Sequence, residues 1–122
     1  MFSVKSEKIE VDHKNQSFRA EVADNFLFRA KGLSFRSSGK MLFKFPRGTN
    51  ASIDMMFLSK PLYLYFMNSE KEVVEIQKAE PWSWNPKTWK LYSPDQKYRY
   101  LLESFEKIEI KEGDRLSFEE PL

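Results

Sequence analysis

The feature that most constrains this chain is its punctuation. Short apolar runs are broken at close intervals by Gly, Pro, Asn, Asp and Ser, and within the runs apolar residues tend to alternate. Alternation with period two sends successive side chains to opposite faces of a strand, and such frequent turn residues leave little room for long helices. Residues 7–11 and 17–23 read as a hairpin across the polar turn at His13-Lys-Asn-Gln16. Gly39 opens a strand with Met41, Phe43 and Phe45 on one face, stopped at Pro46-Arg-Gly48. Residues 52–58 form a further apolar run. Pro61 starts the next, with Leu62, Leu64 and Phe66 opposite Tyr63, Tyr65 and Met67. After Asn68-Ser-Glu-Lys71 the chain returns over 71–78 with Val74 and Ile76 inward, so 62–78 is a second hairpin. Runs at 97–104, 107–111 and 115–119 close the sequence.

One segment carries helical spacing. Asp24 stands as an N-cap for a short helix over roughly 25–31, with Gly32 at its stop and Phe26, Ala30 and Leu33 on one face. The expected fold is mainly β: a small barrel-like or rolled sheet of about eight strands with one short helix. At 122 residues the chain is expected to be one domain, 1–122, and 41% hydrophobic residues suffice for one core.

Composition excludes several chemistries. There is no cysteine, hence no disulfide, no thiol nucleophile and no cysteine-ligated metal. His13 is the single histidine and lies in a polar turn, which points to a surface role rather than a triad or a metal site. Four glycines supply no phosphate-binding loop. The five Met residues, including Met55-Met56, sit among Phe and Leu and read as core packing. No metal or cofactor is expected. No stretch has the length of a signal peptide or a membrane helix, so Asn15-Gln-Ser17 and Asn50-Ala-Ser52 are chance glycosylation triplets and the expected location is cytoplasmic. Lys and Glu dominate the charges, a leaning toward a thermophile surface.

Charge is unevenly spread. Residues 1–61 hold 11 basic and 6 acidic side chains, residues 62–122 hold 9 and 12. No acid lies between Asp24 and Asp54, a stretch containing Arg29, Lys31, Arg36, Lys40, Lys44 and Arg47 interleaved with Phe. Bases alternating with aromatics can bind phosphates and stack on nucleobases, although apolar Phe with a solvated basic rim gives the same pattern. Asp54 interrupts the run Ile53–Leu58, and a carboxylate there faces outward, is paired, or borders a cleft. Glu103 follows Leu101-Leu102, and strand alternation puts Arg99, Leu101 and Glu103 opposite Tyr98, Tyr100 and Leu102. Asp54 and Glu103 form an acid–base pair only if the fold brings them together. Residues 81–94 hold Trp82, Trp84, Trp89 and Tyr92 with Pro81, Pro86 and Pro94. Such a loop lines a pocket, pins itself to the core, or forms an interface.

In order and spacing, one series of strings resembles the domain-of-unknown-function family 192. It comprises Glu21-Val-Ala-Asp24, Arg29-Ala-Lys-Gly-Leu33, Phe35-Arg36, Gly39-Lys-Met-Leu-Phe43 with Phe45, Ser52–Phe57, Pro61-Leu62, Glu70–Val74, Tyr100-Leu-Leu-Glu103 and Lys111-Glu-Gly-Asp-Arg115. The likeness spans roughly 18–119 and looks most like the archaeal branch. It implies a mainly β domain with a short helix after the first hairpin, and no established activity. The family's usual Trp-Met-Lys-Asn stretch reads Asp54-Met-Met-Phe57 here, and the Asp of its Pro-Leu-Asp pattern is Tyr63. The leading functional reading is a binding module for a small molecule or peptide segment, with Arg36, Asp54, Trp82, Trp84, Trp89 and Glu103 as candidate binding residues. The runner-up is a nucleic-acid-binding module using 29–47, and third is an enzyme using Asp54 and Glu103.

Overall fold

The computed structural model describes residues 8–23 and 32–120. The proposed helix over 25–31, its Asp24 cap, Arg29 and Lys31 lie outside the described residues. Six strands form one sheet: β1 (Lys8–His13), β2 (Gln16–Ala23), β3 (Lys40–Thr49), β4 (Leu62–Met67), β5 (Val73–Ala79) and β6 (Tyr98–Ser104). Their order is β1-β2-β3-β6-β4-β5. All pairings are antiparallel except β2 with β3, which is parallel.

The sheet is open, which corrects both the barrel and the count of about eight strands. Three of the expected strands never join a ladder. Residues 52–58, 107–111 and 115–119 run as irregular chain, touching strand-like partners only through the single bridges Ile53–Tyr92, Glu72–Arg115 and Asp12–Ser117. Instead of closing the sheet they cover it. One apolar cluster gathers Val11, Leu42, Tyr65, Tyr100 and Leu102 beneath Ile108, Ile110, Leu116 and Phe118 of the C-terminal segment. On the other face Met41, Phe43, Leu64, Phe66 and Leu101 lie beneath Leu33, Met55 and Leu58. Two apolar faces demand two covers, and loops rich in large side chains meet that demand without further strands.

The hairpins form as the turn residues dictate. Lys14 takes a positive φ of 55° at the β1–β2 turn. Asn68 Oδ1 accepts from the backbone N–H groups of Glu70 and Glu72, which folds the β4–β5 turn. Val74 and Ile76 do not share one face; a register shift opposite Phe66/Met67 sends Val74 to the second cluster and Ile76 to the first.

Pro46 does not stop β3. The strand continues to Thr49 through a register shift between Lys44 and Thr49, where the missing proline N–H is tolerated. That shift also breaks the alternation of β6. Leu101 and Glu103 share a face as expected, but Tyr98 joins them, edge-on to Phe45 and Phe66.

His13 is not at the surface. It is 3% exposed, with Nε2 held 2.7 Å from Asp114 Oδ2. Among the described residues no helix is long and apolar enough to cross a membrane.

Candidate functional site: an acid cavity and an aromatic groove

β6 is an inner strand, paired with β3 on one side and β4 on the other. Glu103 therefore sits between Met41 and Leu64 and is 4% exposed, one of three buried polar residues described. Its carboxyl faces a cavity of about 160 Å³ between the sheet and two loops. Leu33, Phe43, Phe45, Leu58 and Leu62 make the apolar walls, with Ser34, Ser52 and Asp54 also at the lining. Gly32 (φ 54°) brings its backbone against the acid: a Cβ there would lie 3.5 Å from Glu103 Oε1 and 3.4 Å from the Phe43 ring. Asp54 is exposed, and its Oδ1 accepts from Met56 N at 3.0 Å, which holds the carboxylate beside the opening. So the fold brings Asp54 and Glu103 to one cavity.

Burial first, and the charge of Asp54 second, push the Glu103 carboxyl up to about 8. No hydrogen bond or ion pair reaches it among the described residues. The Tyr98 phenol is pushed up by its own burial and then by Glu103, while its hydroxyl donates to Ala51 O. The site thus holds a carboxyl that keeps its proton near neutral pH, in an apolar chamber.

A second concavity lies on the other side of the 53–58 segment. It is a groove of about 400 Å³ lined by Met56, Phe57, Trp82, Ser83, Trp84 and Trp89. Its rings are fixed by hydrogen bonds: Trp82 Nε1 donates to Lys90 O and Trp89 Nε1 to Ser83 O, each at 2.8 Å. The two indoles stack at 6.1 Å. The 3₁₀ turn Pro86–Thr88 is capped by the Asn85 side chain, and paired backbone bonds between Ile53 and Tyr92 tie the loop to its neighbour. Trp82 is half-buried against the second cluster rather than fully buried, since its N–H needs the Lys90 carbonyl at the surface. Trp84 is 99% exposed.

Phe35 and Phe57 extend this apolar surface. Their rings stack at 4.7 Å, Phe35 N donates to Phe57 O at 2.9 Å, and both stay exposed, at 75% and 59%. Both also adopt positive φ, near 65°, a costly backbone for a bulky residue. Sequence reasoning missed both as site residues. A strained, exposed Phe looks in sequence like any core Phe, because φ is invisible there.

Arg36 joins neither concavity. Its Nη2 lies 2.6 Å from Glu21 Oε2 on β2, passing over Gly39, where a Cβ would come within 2.5 Å of it. The basic stretch is in large part matched by acids distant in sequence: Lys40 faces Glu106 and Lys44 faces Glu120.

The model of the family DUF192, described as "Uncharacterized ACR", matches residues 7–118. The chain belongs to this family. As a DUF192 protein it is similar to a UPF0127 protein of Pyrococcus furiosus, 34% identical over 114 residues, covering 86% of this chain and 92% of that one. A UPF0127 protein of Pyrococcus horikoshii is 31% identical over 116 residues, covering 88% and 95%. The DUF192 fold recurs in a crystal structure from Sinorhizobium meliloti 1021, named as a candidate transcription regulator. That match has a TM-score of 0.80 at 22% identity, covering 96% of this chain and 98% of that one. A protein of unknown function from Novosphingobium aromaticivorans matches with a TM-score of 0.71 at 21% identity, covering 90% and 83%. In this DUF192 chain Asp54 lines the cavity while Met56 and Phe57 line the groove, so the short stretch 54–57 borders both.

Proposed function

We propose that this DUF192 domain is a binding module that takes an apolar or aromatic group, of a small molecule or a peptide segment, into the tryptophan groove. The supporting observation is preorganisation. The Trp82 and Trp89 rings are held by their own hydrogen bonds and by each other, and the groove they line with Trp84 is open. Aromatic rings fixed in advance lose little entropy when a ligand stacks on them. Met56, Phe57 and Phe35 continue the patch, and contiguous exposed apolar surface of this kind marks interaction sites. The two strained Phe backbones fit the same reading, because strain that folding alone does not require collects at functional positions.

The nucleic-acid reading draws less support. Arg36, Lys40 and Lys44 each face a carboxylate, so a phosphate would have to displace an existing partner.

The experiment is a thermal-shift screen of aromatic small molecules and apolar peptides, with each hit retested on Trp84→Ala. A ligand that prefers the native state raises Tm. The reading expects hits whose shift disappears in the variant. Hits that shift both proteins equally would place the ligand elsewhere.

A further inference from the structure

We infer that the cavity at Glu103 and Asp54 is a second binding site, for a small alkylammonium group: a primary amine on a short aliphatic chain. The inference is independent of the tryptophan groove.

A carboxyl on an inner strand, 4% exposed and with no described hydrogen-bond partner, is unusual. A carboxyl this far from bulk solvent favours a hydrogen-bonding partner. Its oxygens open onto the cavity rather than being sealed among side chains, so a guest can supply that partner. The second carboxylate on the lining, Asp54, has Oδ1 engaged by Met56 N. Its remaining oxygen can accept from the same guest. Two carboxyls converging on one volume call for positive charge.

The walls decide the kind of cation. Leu33, Phe43, Leu58 and Leu62 would hold an aliphatic chain. A volume of about 160 Å³ is well beyond what one water needs, which leaves room for a short aliphatic amine. A hard divalent ion gathers about six or more oxygens, and the described residues offer no cluster of three ligating side chains.

Proton linkage follows from the same geometry. Among the described residues the titratable groups facing Glu103 are Asp54 from the 52–58 segment and Tyr98 from β6. β3 and β4 present Met41, Phe43, Leu62 and Leu64. Burial and the Asp54 charge keep Glu103 protonated at neutral pH, so an ammonium guest must release that proton. With a carboxyl titrating near 8, the competent fraction, and so the affinity, rises about tenfold between pH 7 and pH 9. The amine stays charged throughout, as a lysine does.

The test is calorimetric titration of the full chain with n-butylammonium chloride at pH 7 and pH 9, in parallel with neutral n-butanol and with calcium chloride. The expected result is saturable binding of butylammonium, about tenfold tighter at pH 9, with proton release at pH 7 and no binding of butanol. Glu103→Gln should fold with a Tm no lower than that of the wild type and lose butylammonium binding. Leu58→Ala, which widens the apolar wall without touching either acid, should keep it at reduced affinity. Equal binding of butanol, binding of calcium but not of butylammonium, no binding at either pH, or undiminished binding by Glu103→Gln would each overturn the inference.

Discussion

His13 Nε2 stands 2.7 Å from Asp114 Oδ2, across 101 residues of sequence. The contact joins the end of the first strand to the turn in the middle of the C-terminal cover, and the Asp12–Ser117 bridge ties the same two segments together. The N–H of Lys111 and then His13 hold the Asp114 carboxyl below the usual carboxylate range. A carboxyl depressed in the folded state contributes stability above its unfolded pKa and loses it as pH falls through its folded one. Asp114→Asn should therefore lower Tm at pH 7, and the difference from wild type should shrink as pH falls through the depressed folded-state value of Asp114. Melting curves from pH 2 to 7 check this; a difference independent of pH would contradict the linkage.

Glu103 has the opposite sign. Its folded value near 8 lies above the ordinary glutamate value of 4.5, so between those pH values the native state holds a proton that the unfolded chain has released. Stability from this group is full below about 4.5 and falls as pH rises to about 8. Glu103→Gln, which cannot ionise, should be more stable than wild type by an amount that grows across that window. The gain should reach on the order of a few kcal/mol at its upper end. Denaturant midpoints at pH 4.5, 6 and 8 would measure it. A constant offset would mean that the carboxyl is not the buried, unpaired group described.

The tryptophans should separate stability from binding. Trp84 is almost wholly exposed, so Trp84→Ala should leave the unfolding free energy within the roughly 0.5 kcal/mol typical of surface changes. Trp82→Ala removes a half-buried ring, its bond to Lys90 O and its stack on Trp89, at a cost of about 2–3 kcal/mol. Trp89→Ala should fall between them. Guanidinium unfolding of the three variants gives the order, and a Trp84→Ala protein as unstable as Trp82→Ala would overturn the assignment.

Gly32 holds a left-handed backbone over Glu103, and its added Cβ would meet Phe43 and the carboxyl at 3.4 and 3.5 Å. Gly32→Ala should cost about 1–2 kcal/mol from the backbone alone. It should also reduce the volume of the acid cavity without altering the tryptophan groove. Chemical unfolding, together with a probe response at each site, tests both parts.

A heparin column at low salt tests the basic stretch. With Arg36, Lys40 and Lys44 matched by Glu21, Glu106 and Glu120, weak retention is expected. Tight retention with a steep salt dependence would favour a nucleic-acid interface instead.

What the sequence by itself determined was local. Alternation and turn chemistry placed the two hairpins and the strand carrying Glu103, because side-chain period and turn geometry act over a few residues. The family was legible because ordered strings survive without knowledge of contacts. Everything that makes a site was decided by tertiary structure. Residues 107–119 carry strand-like composition, yet they cover the sheet instead of joining it, because two apolar faces needed shielding more than the edges needed pairing. His13 in a polar turn reads as a surface residue until Asp114 arrives from the far end of the chain to receive it. Asp54 and Glu103 were both visible as misplaced carboxyls. Their convergence depends on β6 running between β3 and β4 and on a loop crossing above it, long-range pairings that no local pattern encodes.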